Sequence, residues 1–378
     1  MSDADLVVAG GTVLTPDGPV RADVLVAEGR IAGLGGVGPE GPTLDAGGLL
    51  VAPGLIDLQC NGAVGIDLAG EPERLWEMAA ALPRWGVTAW LPTIVTGPPA
   101  LRRRALAALR AGPPSGDDRA RAEPLGLHLE GPFLAPERRG AHPAEHLAPP
   151  DPVVVADEGW AGAVRLATLA PELTGALDLV RALVAAGVVV SAGHSSATAA
   201  EARAAADAGA SWVTHLFNAM VPLSHRAPGL PGVALSDGRF RVGLIADGVH
   251  VDPAVVAIAA RALGDRLTLV TDAVAPMGTP GAGDGGVRLA DGTLAGSTLA
   301  LDQAVRNLAR WAGLPLAAAL AAATSTPARV LGLADRGTVA VGAVADLVLL
   351  DEGGGLVATV AGGRVAHDRR EAGAPWKS

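Results

Sequence analysis

Between about residues 52 and 335 the chain repeats one pattern: an apolar run of strand length, a break, then a stretch whose apolar residues recur at helical spacing. The strand-length runs fall at 53–58, 87–93, 124–129, 164–169, 188–192, 211–214, 240–246 and 267–271. Helical patterns at 73–84, 101–111, 175–186, 198–208, 253–263 and 301–311 follow most of them. Strands alternating with helices build βαβ units and a parallel sheet. Eight units predict an α/β fold of the (β/α)8 TIM-like barrel kind, which takes about 250 residues before insertions. The alternative, a doubly wound sheet, lacks its Gly-x-Gly-x-x-Gly turn after the first core strand. The two ends read differently. Short β-rich runs with Gly-rich turns occupy 5–9, 12–14, 23–27 and 30–34, and again 337–341, 346–350, 356–360 and 364–367. We therefore expect a small β-sandwich domain built from residues 1–51 and 336–378, flanking a barrel over 52–335.

Composition narrows what such a chain can do. Of 378 residues 49% are hydrophobic, enough for a large core, and 18% are charged, too few for a disordered chain. Basic residues number 29 against 39 acidic, a net charge of −10. That balance argues against a nucleic-acid partner and against a polybasic membrane-surface role. No apolar stretch approaches the ~18 residues of a membrane span. The single cysteine, Cys60, allows neither an intramolecular disulfide nor a multi-cysteine metal centre, and fits a reducing compartment. The acidic N-terminus lacks the positive region of a secretory signal. A soluble cytoplasmic protein is the expectation.

The chemistry-bearing residues gather at predicted strand ends. There are eight histidines, seven of them from His128 to His250. His194, His215 and His250 sit at or just past strand C-termini, Glu130 ends another strand, and Asp272 ends the eighth. A barrel brings these ends together around one mouth. Glu130, His194 and His215 then form an N₂O ligand set with an open position, the pattern of a catalytic divalent metal, zinc first among candidates, with iron, cobalt or manganese as alternatives. Taken singly, a strand-end histidine is a core or rim residue, but five polar groups at five strand ends resist that reading. Asp272, beside such a metal, is the candidate proton carrier. His128, on Glu130's face of the strand, reads as a support to that carboxylate or a packing residue, His146 and His367 as solvated loop residues, Cys60 as an inert buried thiol, and Trp76, Trp85, Trp90, Trp160, Trp212 and Trp311 as packing. Two loops, 220–232 with His225 and Arg226, and 275–296 with a hairpin, follow core strands on the same face.

Several segments resemble the N-acetylglucosamine-6-phosphate deacetylase family of the amidohydrolase superfamily: Pro53-Gly-Leu-Ile-Asp-Leu-Gln-Cys-Asn-Gly62, Gly126-Leu-His-Leu-Glu-Gly-Pro-Phe133, Gly140-Ala-His142, Ala192-Gly-His-Ser195, Thr214-His-Leu-Phe-Asn-Ala-Met220, Ala246-Asp-Gly-Val-His250, Val270-Thr-Asp-Ala273 and Leu294-Ala-Gly-Ser297. They run in family order along nearly the whole chain. The resemblance implies hydrolysis of an acetamide on a sugar phosphate, Glu130, His194 and His215 as metal ligands, and Asp272 as acid/base. It implies substrate contacts from Ala141, His142, Asn218, Ala219, Arg226, Asp247, Gly248, Val249, His250, Leu294, Ala295 and Gly296. His142 is expected to assist the carbonyl or a sugar hydroxyl, and Arg226 and His250 to hold phosphate. It further implies a homodimer in which the partner supplies part of the phosphate site. The superfamily's His-x-His is replaced by Gln59-Cys60-Asn61, a variant that some members of the family share. Amides are poor ligands, so one metal per subunit is expected, with Gln59 and Asn61 at most contacting water or substrate. A different amidohydrolase, or a non-catalytic relative, are the rival readings.

Overall fold

The structure, a computed structural model, describes residues 4–35, 41–283 and 285–371; the extreme ends of the expected terminal domain lie outside these. The eight apolar runs become barrel strands at Leu55–Cys60, Val87–Val95, Leu127–Glu130, Val164–Leu169, Val189–Ala192, Trp212–Val213, Arg241–Leu244 and Leu267–Leu269. Each pairs in parallel with the next. The first and eighth meet through a parallel bridge between Cys60 and Ala273 and a 2.9 Å bond from the Asp272 N–H to the Gln59 carbonyl. The result is a nearly closed barrel. Its strands are covered on both faces, so they read as apolar runs rather than alternations; all six residues of Leu55–Cys60 are buried.

Helix ends follow local chemistry. Thr198 and Glu201 form a capping box that starts Ala199–Ala208. Asp252 caps Pro253–Leu263, with proline at the first helical position. The helix expected over 73–84 is shorter, Leu75–Ala81, flanked by 3-10 turns, because Pro83 cannot continue it. The loop expected over 220–232 gives way to a helix at Gly229–Ser236, and short helices at Leu316–Ala321 and Ser325–Val330 carry too few turns to show a period.

The terminal segments hydrogen-bond into one eight-stranded sheet. Its order is Arg364–Asp368, Leu356–Ala361, Leu347–Leu350, Leu50–Pro53, Leu6–Thr15, Gly18–Ala27 and Arg30–Leu34, with Thr43–Asp45 also on Leu6–Thr15. The sheet folds over its own core of Val8, Val13, Val24, Val51, Leu347, Leu349 and Val360. Its edge returns to the C-terminal half where Ile31 and Ala343 bond at 2.9 Å. The runs 5–9 and 12–14 are one strand, bulged between Val8 and Gly11 with Gly10 at φ +77°. The strand expected at 337–341 does not form. Gly337 turns there at φ +71° against the Thr324 carbonyl, and Val339 is buried without joining a ladder. Val348, Leu350 and Leu356 pack the sheet onto the barrel core.

Candidate active site

Glu130 ends the third barrel strand, His194 and His215 lie two residues past the fifth and sixth, and Asp272 three past the eighth. His215 Nε2 lies 2.9 Å and His194 Nε2 3.2 Å from Glu130 Oε1, and the two nitrogens are 3.1 Å apart. All three residues are buried. His194 donates its Nδ1–H to the Arg138 carbonyl at 2.9 Å, which leaves the Nε2 lone pair facing the cluster. Two ring nitrogens and a carboxylate oxygen converging on one point need a proton or a cation between them. The donor set suits a divalent metal with an open coordination position. His194, His215 and Asp272 have φ of +48°, +21° and +49°, left-handed values that side-chain-bearing residues seldom adopt away from functional sites.

Burial opposes the charge on Glu130, but its contacts with the imidazoles of His142, His194 and His215 outweigh it and hold the carboxyl well below the usual carboxylate range. Burial likewise opposes charge on His215, and its bond to Glu130 raises it nonetheless. Asp272 moves the other way: burial and the Glu130 charge push it up to about 6. Its Oδ1 accepts from Asn61 Nδ2 at 2.7 Å and Gln59 Nε2 at 3.2 Å, while Oδ2 receives no donor among the described residues. Gln59 Nε2 also donates to Glu130 Oε1 at 2.9 Å. This corrects the expectation for Gln59: it is sealed from the cavity and donates to two carboxylates, because an amide NH₂ placed between them satisfies both. The Thr96 N–H donates to His142 Nδ1 at 3.2 Å, so the neutral ring carries its proton on Nε2, 3.6 Å from Glu130 Oε2. Burial and neighbouring His194 push His142 down and keep it neutral. Asp247 accepts from His250 Nδ1 at 2.6 Å and from the Val249 and His250 N–H groups.

These groups open on a cavity of about 530 Å³. Asn61, Ala141, His142, Asn218, Ala219, His250, Leu294, Ala295 and Gly296 line it with Glu130, His194, His215 and Asp272. Asp247, Gly248 and Val249 stand outside. Asp247 orients His250, Gly248 packs on Trp311, and Val249 is exposed. Arg226 is exposed on its loop and does not reach the cavity of its own chain. His128 packs edge-on against Trp212 and bonds the Leu58 carbonyl, and burial pushes it down to about 4. His367 is a strand residue, half-buried, rather than a loop residue. Among the residues that went unread, Arg138 and Arg288 line the cavity, and Thr96 orients His142. Thr96, one residue past the second strand, carried the same strand-end signal as the residues that were found.

A parallel barrel that gathers a buried Glu–His–His cluster and a facing carboxylate at its strand C-termini has the build of a hydrolase working through a divalent cation. The chain belongs to the amidohydrolase family, whose profile matches residues 50–366. It is 39% identical to N-acetylglucosamine-6-phosphate deacetylase of Bos taurus, over 97% of this chain and 92% of the relative. It is also 39% identical to N-acetylgalactosamine-6-phosphate deacetylase of Escherichia coli O157:H7, over a shorter 80% of this chain and 84% of the relative. Among solved structures, it resembles an aspartate-to-alanine mutant of the Mycobacterium smegmatis N-acetyl-D-glucosamine-6-phosphate deacetylase in complex with N-acetyl-D-glucosamine-6-phosphate, with TM-score 0.86 and 36% identity, covering 97% of this chain and 100% of that one. The Pasteurella multocida deacetylase gives TM-score 0.87 at 28% identity, covering 95% and 99%.

Proposed function

We infer that this chain hydrolyses the acetamide of N-acetyl-D-glucosamine 6-phosphate to D-glucosamine 6-phosphate and acetate, in amino-sugar catabolism or cell-wall sugar recycling. The observation that carries the reading is the Glu130–His194–His215 cluster facing Asp272, in a chain similar to such deacetylases over nearly its full length. Those three residues would hold one divalent metal per subunit, zinc in our reading, which lowers the pKa of a water and polarises an acyl oxygen. Asp272 Oδ2, left free while Gln59 and Asn61 engage Oδ1, takes the proton of the attacking water. It then returns that proton to the amide nitrogen as the C–N bond breaks. His142 offers its Nε2–H to the developing oxyanion. Asp247 accepts the Nδ1–H of His250 at 2.6 Å and fixes the ring, so that a proton on Nε2 lets the same imidazole donate to the phosphate. Arg226, outside its own cavity, serves the phosphate bound in the neighbouring subunit of a homodimer. We place the protein in the cytoplasm and divide it into a terminal unit, 1–51 with 336–378, and a barrel, 52–335.

The test is acetate release from N-acetylglucosamine and N-acetylgalactosamine, each with and without the 6-phosphate. Turnover of the phosphorylated glucosamine derivative well above its unphosphorylated form is expected. No acetate from any of the four would refute the reading. Preference for the galactosamine phosphate would move the substrate toward that of the Escherichia coli O157:H7 relative.

A further inference from the structure

His194 sits on strained backbone at φ +48°, and the structure shows what holds it there. On the ring side, the Arg138 carbonyl accepts Nδ1–H. On the chain side, the grip comes from a carboxylate that the proposed reaction does not use. Glu172, three residues past the fourth barrel strand, accepts the Ser195 hydroxyl at 2.7 Å and the Ser196 N–H at 2.5 Å. The Ser195 oxygen in turn accepts the Ala197 N–H at 2.9 Å, so one carboxylate ties down three consecutive residues after the histidine. The Ser195 N–H is held by the Ala219 carbonyl at 3.0 Å, and the His194 carbonyl accepts the Ala135 N–H at 3.1 Å. Glu172 does not line the cavity. Without it the Ser196 N–H loses its acceptor and the turn its anchor. His194 can then relax out of the left-handed region and swing Nε2 away from Glu130 and His215.

We infer that Glu172 is a positioning residue that sets the metal affinity of the site by clamping the backbone that presents His194. The inference rests on the reading of Glu130, His194 and His215 as a metal site. The experiment measures zinc affinity by chelator competition on stripped protein, with thermal unfolding of the metal-free forms beside it. The parent is compared with Glu172→Ala, Glu172→Gln and Ser195→Ala. Loss of an outer partner of a metal ligand weakens binding about 10- to 100-fold. Glu172→Ala is expected to show a loss of that size. Ser195→Ala, which breaks one of the two contacts, should show a smaller loss. Glu172→Gln, which can still accept from Ser196 and pair with Ser195, should bind like the parent. A parent that binds no zinc overturns the metal reading and this inference together. A parent that binds while Glu172→Ala binds equally well overturns this inference alone. So does a Glu172→Ala that loses thermal stability without losing affinity, since Glu172 is then merely structural. If Glu172→Ala does not fold, unchanged affinity in Ser195→Ala, or a loss in Glu172→Gln, overturns it in the same way.

Discussion

Asp272 meets two opposing demands. Burial and the nearby Glu130 push its carboxyl up to about 6, while Asn61 donates to it and supports the anion. A group so poised accepts and returns a proton near neutral pH. Asp272→Asn keeps the shape and removes that capacity. We expect kcat to fall about 10²–10⁴-fold or more with affinity for a divalent metal unchanged. Activity within tenfold of the parent, in steady-state assays, would show that another group carries the proton. Gln59 and Asn61 bear on the metal count at the same scale. Their NH₂ groups point at Glu130 and Asp272 and fill the space between them as donors. A second cation would have to displace them, so elemental analysis after exhaustive dialysis should find one metal per chain. Two retained equivalents would contradict that. The residue types at these positions were legible in the sequence, as were the strand-end histidines. The directions of their hydrogen bonds were not, because each depends on a partner far away along the chain.

Where the barrel closes, the first and eighth strands share a buried carboxyl. Asp57 accepts the Gln59 N–H at 3.2 Å and the Thr271 N–H at 3.3 Å, and lies 2.6 Å from the Thr271 hydroxyl. Burial pushes Asp57 up to about 7 from 3.8 against bonds from Thr271 and Gln59, and the nearby Asp272 charge adds to the push. The sign follows from proton counts. Between pH about 4 and 7 the folded chain keeps this proton and the unfolded chain loses it, so the contribution of Asp57 to stability declines as pH rises through that window. Asp57→Asn, which stays neutral and can pair with Thr271, removes the decline. The variant should gain on the parent from pH 4 to 7, by up to about 4 kcal/mol. Urea unfolding of both at pH 4.5 and 7.5 measures it, and parallel pH profiles would mean that Asp57 is ionised in the fold. The strand and helix order was readable from apolar periods and caps such as Thr198 with Glu201. The 337–341 segment misled, because a β-rich composition does not reveal the left-handed turn at Gly337.

On the scale of the whole molecule the open question is Arg226. A single chain leaves it exposed, away from the cavity that the cluster faces. If a homodimer carries it to the neighbour's phosphate, Arg226→Ala should weaken use of the phosphorylated sugar and spare the plain one. A charge-assisted contact is worth about 1.5–3 kcal/mol, or roughly 10- to 150-fold in kcat/KM. Light scattering of the parent should then give twice the chain mass. Equal losses on both sugars, or a monomer with full selectivity, would leave the phosphate to the cations that line the cavity, Arg138 and Arg288.

The sequence by itself determined the barrel, the terminal sheet shared by both ends, and the membership of the Glu130–His194–His215 cluster. Alternating apolar periods impose parallel strands, and parallel strands in a barrel present all their C-termini at one mouth. Only the tertiary structure decided which atoms face which. His194 presents Nε2 because the Arg138 carbonyl claims Nδ1, Gln59 serves carboxylates 71 and 213 positions away, and Glu172 braces a turn 23 positions on. Those choices depend on backbone angles and side-chain approach between distant segments, which no local spacing of residue types encodes.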